Sequence, residues 1–114
     1  MALHRHIDDL DPGEELLVST EQGATNGFCL GIALYDKEEY RKPGVHDDQE
    51  GFFVLEGHGT ARVGDEEFEV RPGSAFIAQK GVPHTVKRAP DSPPVRILYA
   101  HGAVCTCNSE SRIS

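Results

Sequence analysis

Short apolar runs rich in Val, Ile, Phe and Leu recur along the chain, and Gly and Pro interrupt them about every eight to twelve residues. Runs of that length suit strands, and the breaks between them carry turn chemistry, so the pattern predicts an all-β sandwich or barrel. The predicted strands span 15–19, 27–36, 50–57, 60–63, 66–71, 74–78, 84–88 and 95–104. No long segment with a 3.6-residue period competes. Residues 8–15 have room for a helical turn, and 108–114 read as a frayed tail.

The sharpest local prediction is a hairpin over 60–73, where Gly64 and Asp65 supply a tight turn and Phe68 and Val70 alternate with Glu67, Glu69 and Arg71. One face of it is core and the other is wet. Pro72 and Gly73 turn the chain into the next strand, residues 79–83 turn it again into His84, and 89–94 form a rigid turn between the last two strands.

The length of 114 residues predicts a single domain, 1–114, with a core barrel over about 27–104, an N-terminal segment 1–14 and a tail 105–114. A chain of this size buries roughly two thirds of its unfolded surface, so it needs no covalent staples. Cys29, Cys105 and Cys107 are an odd set without framework spacing and read as reduced thiols. No apolar signal core and no membrane-length apolar stretch is present, which makes the cytoplasm the expected compartment. Nineteen acidic against eleven basic residues give a formal charge of -8, with Lys and Arg scattered, so neither nucleic acid nor an anionic membrane is an expected partner.

The chemistry concentrates in 44–59, where His46 and Glu50 stand at the mouth of an apolar run. On one straight strand they would be about 13 Å apart, too far to share an ion. Ligands each about 2.1 Å from a metal require the chain to fold back, and Asp47–Gln49 is a plausible bend because Asp bonds its own backbone in turns. Counting by twos from Glu50 puts Phe52 and Val54 on the same face, an apolar pocket wall. His84, at the start of another strand, is the best third donor. Two imidazoles and one carboxylate make the facial set of non-haem iron sites, open also to manganese, nickel, zinc or copper.

At this point the chain resembles the cupins, small jelly-roll β-barrels with two short motifs. "GVHDDQEGFFVLEG" is similar to the first, with His46 on its second histidine, Glu50 on its glutamate and Gly57 on its closing glycine; "GSAFIAQKGVPH" is similar to the second, with Gly73, Gly81 and His84 in place. The resemblance covers about 40–103. It implies a metal on His46, Glu50 and His84, a small-molecule ligand and a homodimer, which would also cover the edge strands of a short barrel. Three positions depart from the motifs: Gly44 stands for the first histidine, Lys80 for a proline and Arg88 for an asparagine. The set is thereby one imidazole short, and Asp47, Asp48, Gln49 or His101 could supply the missing donor.

Plainer readings stand beside these. His46 would cap a turn, Glu50 would be a solvated strand start, and His84 a core histidine. His101, in register with Val95, Ile97 and Tyr99, either faces the interior or is a hydrogen-bonded strand-end residue. Arg88 either reaches into the cavity to hold an anionic substrate or is solvated beside Lys87. Cys29 reads as a small core residue and His58 as an exposed hairpin residue. The functional expectation is a mononuclear-metal cupin, an oxygenase of dioxygenase-like type or an isomerase acting on a small polar organic substrate. The alternative is a non-catalytic binding or sensing module. The sequence leaves enzyme status open.

Overall fold

The computed structural model describes residues 3–102. Eight strands follow in order: β1 (Leu16–Val18), β2 (Cys29–Tyr35), β3 (Gln49–Glu56), β4 (Gly59–Val63), β5 (Glu66–Val70), β6 (Ala75–Ala78), β7 (His84–Arg88) and β8 (Val95–Gly102). Each matches a predicted run. The expected beginning of β2 at residue 27 is delayed because Asn26 and Gly27 adopt positive φ, 57° and 75°, which takes them out of extended conformation. The N-terminal helical turn is a 3-10 turn, Ile7–Asp9, which the Asp9 carboxylate caps by accepting from the His6 N–H. A second 3-10 turn, Thr20–Gln22, was hidden in what reads as polar loop; Ser19 and Gln22 form a capping box and Gly23 closes it at φ 94°. The predicted tail and Cys105 and Cys107 lie outside the described residues.

The strands form two antiparallel sheets, ordered β1-β2-β8-β3-β6 and β5-β4-β7. Their inner faces enclose one core, as in a jelly roll. Residues two apart alternate as the sequence pattern requires: Glu50, Phe52 and Val54 are buried along β3, and Val95, Ile97 and Tyr99 along β8. Val54, Ala61, Val95 and Ile97 are fully excluded from solvent, while Phe52 stacks on Phe76 at 4.6 Å and Phe68 meets Phe76 edge-on at 5.3 Å. The predicted hairpin has the expected register, Thr60 opposite Glu69 and Val63 opposite Glu66. Gly57 turns β3 into β4 at φ 78°, and a Cβ there would lie 2.5 Å from the Pro94 carbonyl oxygen, so the position accepts only glycine.

The two sheets are stitched along one side by the β2–β3 connection. Gly44 and His84 exchange both backbone hydrogen bonds, at 2.9 and 3.0 Å. The Arg88 N–H donates to the Lys37 carbonyl at 2.7 Å, and the buried Thr85 hydroxyl donates to that of Arg41 at 3.1 Å. This strap lays residues 37–46 against β7 and delivers His46 to the end of the interior where β3 begins. No helix among the described residues is long and apolar enough to cross a membrane.

Candidate metal centre

Register brings the first donors together. In the five-stranded sheet Cys29, His101 and Glu50 occupy one row across β2, β8 and β3. Odd and even positions coincide there, so all three side chains enter the interior at the same end. His46 precedes a bend at Asp47 and Asp48, and the bend is what folds it back over Glu50. His84 arrives from the other sheet, at the first residue of β7.

Glu50 is the hub. Only 4% of it is exposed, and its Oε1 lies 3.0 Å from His46 Nε2 and 3.1 Å from His84 Nε2. Those separations suit hydrogen bonds, yet Oε1 receives none with acceptable geometry. Leaving a buried carboxylate oxygen unpaired is costly, and a cation is what would offset that cost.

The imidazole tautomers agree with this. His84 Nδ1 lies 3.2 Å from the Val82 carbonyl oxygen, which can only accept, so Nδ1 carries a proton and, in the neutral ring, Nε2 carries the lone pair on the side of Glu50. Likewise, His101 Nδ1 donates to Asp48 Oδ2 at 3.0 Å, leaving its Nε2 to accept from the Cys29 thiol at 3.0 Å. A second buried carboxylate oxygen, Asp48 Oδ1, has no partner. The Glu50 carboxylate raises the His84 pKa above the ordinary imidazole value, the Val82 carbonyl acts in the same direction, and burial opposes both. Burial, opposed by the His101 contact, raises that of the Cys29 thiol.

The ligand atoms of His46, Glu50 and His101 all lie within 4.8 Å of one another, a cluster that could hold a metal ion. His46 stacks on His101 with ring centroids 4.6 Å apart and stands 5.4 Å from the His84 ring. A Cβ built on Gly44 would sit 3.2 Å from His84 Nε2 and 3.8 Å from His46 Nε2. A side chain at position 44 would therefore point into the donor cluster and crowd the His84 ring.

The remaining sequence candidates separate cleanly. Phe52 packs under the site, its ring 5.2 Å from that of His84. Gln49 is exposed and lines a different cavity, because it alternates with Glu50 to the outer face. Arg88 stays away from the centre: its guanidinium donates to the carbonyls of Asp36, Ala89 and Ser92 and to the Glu38 carboxylate. His101 satisfies both of its sequence readings, being a strand-end residue with two partners and a wall of the site. Cys29 is 7% exposed, and its contact with His101 could have been anticipated only from strand register. His58 is exposed, 3.5 Å from Asp91. The two participants hardest to read from sequence are Glu15 and Tyr99, where the Tyr99 hydroxyl donates to Glu15 Oε1 at 3.1 Å across 84 residues. Burial, first, and the Glu15 carboxylate, second, raise the Tyr99 pKa, so its hydroxyl keeps its proton. The cavity that contains the centre measures about 200 Å³, and Tyr35, Arg41 and Lys42 complete its wall.

The family model for the cupin domain matches residues 31–101. This chain is a cupin. Among solved structures, the cupin is similar to the polyketide cyclase RemF from Streptomyces resistomycificus (TM-score 0.74, 25% identity, covering 91% of this chain and 81% of that one). It is similar also to a cupin protein from Bacteroides fragilis (0.72, 14%, covering 96% and 92%). A third likeness is the cupin domain of Cnp3 from Schizosaccharomyces pombe (0.68, 18%), where 83% of this chain spans 63% of that one. A search of curated proteins found no match.

Proposed function

We propose that this cupin holds one divalent transition metal on His46, Glu50 and His84, with His101 standing in for the imidazole that Gly44 lacks, and that it acts on a small oxygen-rich organic ligand in the cavity. The carrying observation is the buried Glu50 Oε1, aimed at by two imidazole nitrogens and hydrogen-bonded by neither. Nitrogen and carboxylate donors in this number suit iron, manganese, nickel, zinc or copper rather than calcium or magnesium. A bound ion would supply Lewis-acid polarisation of a ligand oxygen, or a coordination position for dioxygen. The likeness to a polyketide cyclase favours the first, a carbonyl or enol chemistry of isomerase type.

The chain's own residues have definable parts in such a reaction. Val82 and Asp48 fix the tautomers of His84 and His101 by accepting from Nδ1; the His84 Nε2 lone pair is then free, and that of His101 becomes free once the Cys29 thiol turns away or gives up its proton. Phe52, buried under the His84 ring, keeps water from the floor of the site. Glu15, on the cavity wall, accepts from the Tyr99 hydroxyl and is the carboxylate outside the donor cluster that can take a proton from a ligand and return it. The reading also includes a homodimer, supported by Leu34, Phe53, Leu55 and Ile77, which are large apolar side chains 39–48% exposed on the outer face of the five-stranded sheet. Sedimentation velocity should show a two-chain species.

Elemental analysis of freshly purified protein, followed by titration of the stripped protein with Fe(II), Mn(II), Ni(II), Zn(II) and Cu(II), tests the metal. One equivalent bound by wild type and lost in Glu50→Gln is expected; equal uptake by both proteins, or none by wild type, rejects the reading. Turnover that disappears with the metal and returns with it marks an enzyme, whereas a ligand recovered unchanged marks a binding module.

A further inference from the structure

Beside the small inner cavity lies a larger groove of about 550 Å³ between the strap at residues 40–43 and the β4 and β7 strands. The two spaces share Arg41, Lys42, His84 and Thr85. At about 200 Å³ the inner cavity is below the usual size of a ligand pocket, so a typical ligand placed on the centre must extend into the groove.

Charge distinguishes this groove from the rest of the molecule. Acidic residues outnumber basic ones nineteen to eleven in the chain, yet the groove carries three cations, Arg41, Lys42 and Arg62, against Asp65 on its wall and Glu67 opposite Arg62 on β5. Among the described residues Arg5, Lys80, Arg88 and Arg96 form ion pairs with carboxylates; these three do not, and neither do Lys37, Arg71 and Lys87, which lie outside the groove. Arg41 is also pre-positioned. Its guanidinium carbon lies 4.1 Å over the ring of the buried Tyr35, and the Thr85 hydroxyl holds its backbone carbonyl. A planar fork laid on an aromatic ring at the junction of two cavities, with no anion of its own, is arranged to receive one. The Tyr40 hydroxyl, on the same groove, is buried without a hydrogen-bond partner and adds a donor.

We propose that the ligand of this site is an elongated organic anion whose carboxylate, or comparably planar anionic group, pairs with Arg41 at the junction of the cavities while its remainder lies along the groove towards Arg62. This rests on the reading of the inner cavity as the ligand site but not on the metal itself, because the groove's cations are fixed in the chain. Arg88, tied to backbone carbonyls, has no part in it.

Isothermal titration calorimetry with matched pairs of probes tests it: salicylate against salicylamide and malonate against malonamide, on Mn(II)-loaded and on metal-stripped protein. At least one carboxylate should bind ten times or more tighter than its amide, and should weaken by about tenfold or more in Arg41→Gln. Lys42→Gln should weaken it several-fold, and Arg71→Gln, an exposed arginine on a separate cavity, should leave it unchanged. Should Arg41→Gln fold poorly without its ring contact, the amide contrast on wild type and the Lys42→Gln protein decide. Carboxylate and amide binding alike, wild-type affinity in Arg41→Gln, or no binding of either carboxylate overturns the proposal. Absence of Mn(II) uptake sinks the metal reading alone, provided the carboxylates still bind the stripped protein and still depend on Arg41; normal Mn(II) uptake with no carboxylate preference sinks this inference alone.

Discussion

The two ends of this interior are built by the same strands and differ in one respect, the treatment of polar groups. At the far end Val54 pairs with Ile97 and Val95 opens the inward face of β8, all three fully buried. Carbonyls of the turn there find donors: Ser92 Oγ accepts from the His58 N–H and donates to the Pro93 carbonyl, while the Arg88 guanidinium donates to those of Asp36, Ala89 and Ser92. At the near end the same strands begin or finish with Cys29, Glu50, His84 and His101. Of the buried side-chain atoms left without partners among the described residues, Asp48 Oδ1 and Glu50 Oε1 lie at that end, and none lies at the far one. A satisfied end is scaffold and an unsatisfied one is where something else binds.

If the ends are independent, damage to one should spare the other. Ile97→Ala opens a cavity in the fully buried far end and should cost about 2–5 kcal/mol in urea denaturation, with metal affinity per folded molecule unchanged. Loss of metal binding in a folded Ile97→Ala protein would break the comparison. Glu50→Gln should do the reverse, lowering metal affinity more than about 100-fold, or roughly 2.7 kcal/mol, while metal-free stability holds or rises because a buried unpaired charge is removed. Next in size, Asp48→Asn should weaken metal binding by about 10–100-fold, since Asp48 only orients His101.

The smallest effect is a pH dependence of the metal-free protein. The folded His84 pKa is raised above 6.5 by Glu50, so its charged form stabilises the fold. That contribution is fully present below the unfolded value of 6.5 and is lost as pH rises through the raised one. The urea midpoint of stripped wild type should fall across that window, and that of Glu50→Gln should not. Equal profiles for the two proteins would remove Glu50 as the cause.

Local pattern exposed much of this. The eight strands were legible because period-2 alternation and Gly or Pro breaks are properties of neighbouring residues, as in the Gly64–Asp65 hairpin. The His46–Glu50 pair was legible from distance alone, because straight extended chain could not join them and Asp47–Gln49 could bend. Gln49 and Arg88, which the sequence left open as cavity candidates, lie elsewhere for opposite reasons. Gln49 shares a strand with Glu50 but alternates to the other face, and Arg88 shares one with His84 but is drawn off by the carbonyls of the 89–94 turn. Arg41, inside what reads as a plain polar connection, had no sequence signal, since its ring partner and hydroxyl anchor come from other segments.

What the sequence by itself determined is the set of strands, which of their faces turn inward and which residues could donate to an ion, because each follows from spacing along a single extended chain. Only the tertiary structure decided that Cys29, Glu50 and His101 share a row, that His84 faces Glu50 from the opposite sheet, and that Arg41 commands the entrance. The first two are matters of register and of contact across 34 to 72 residues, where a one-residue slip would turn the row to the other face.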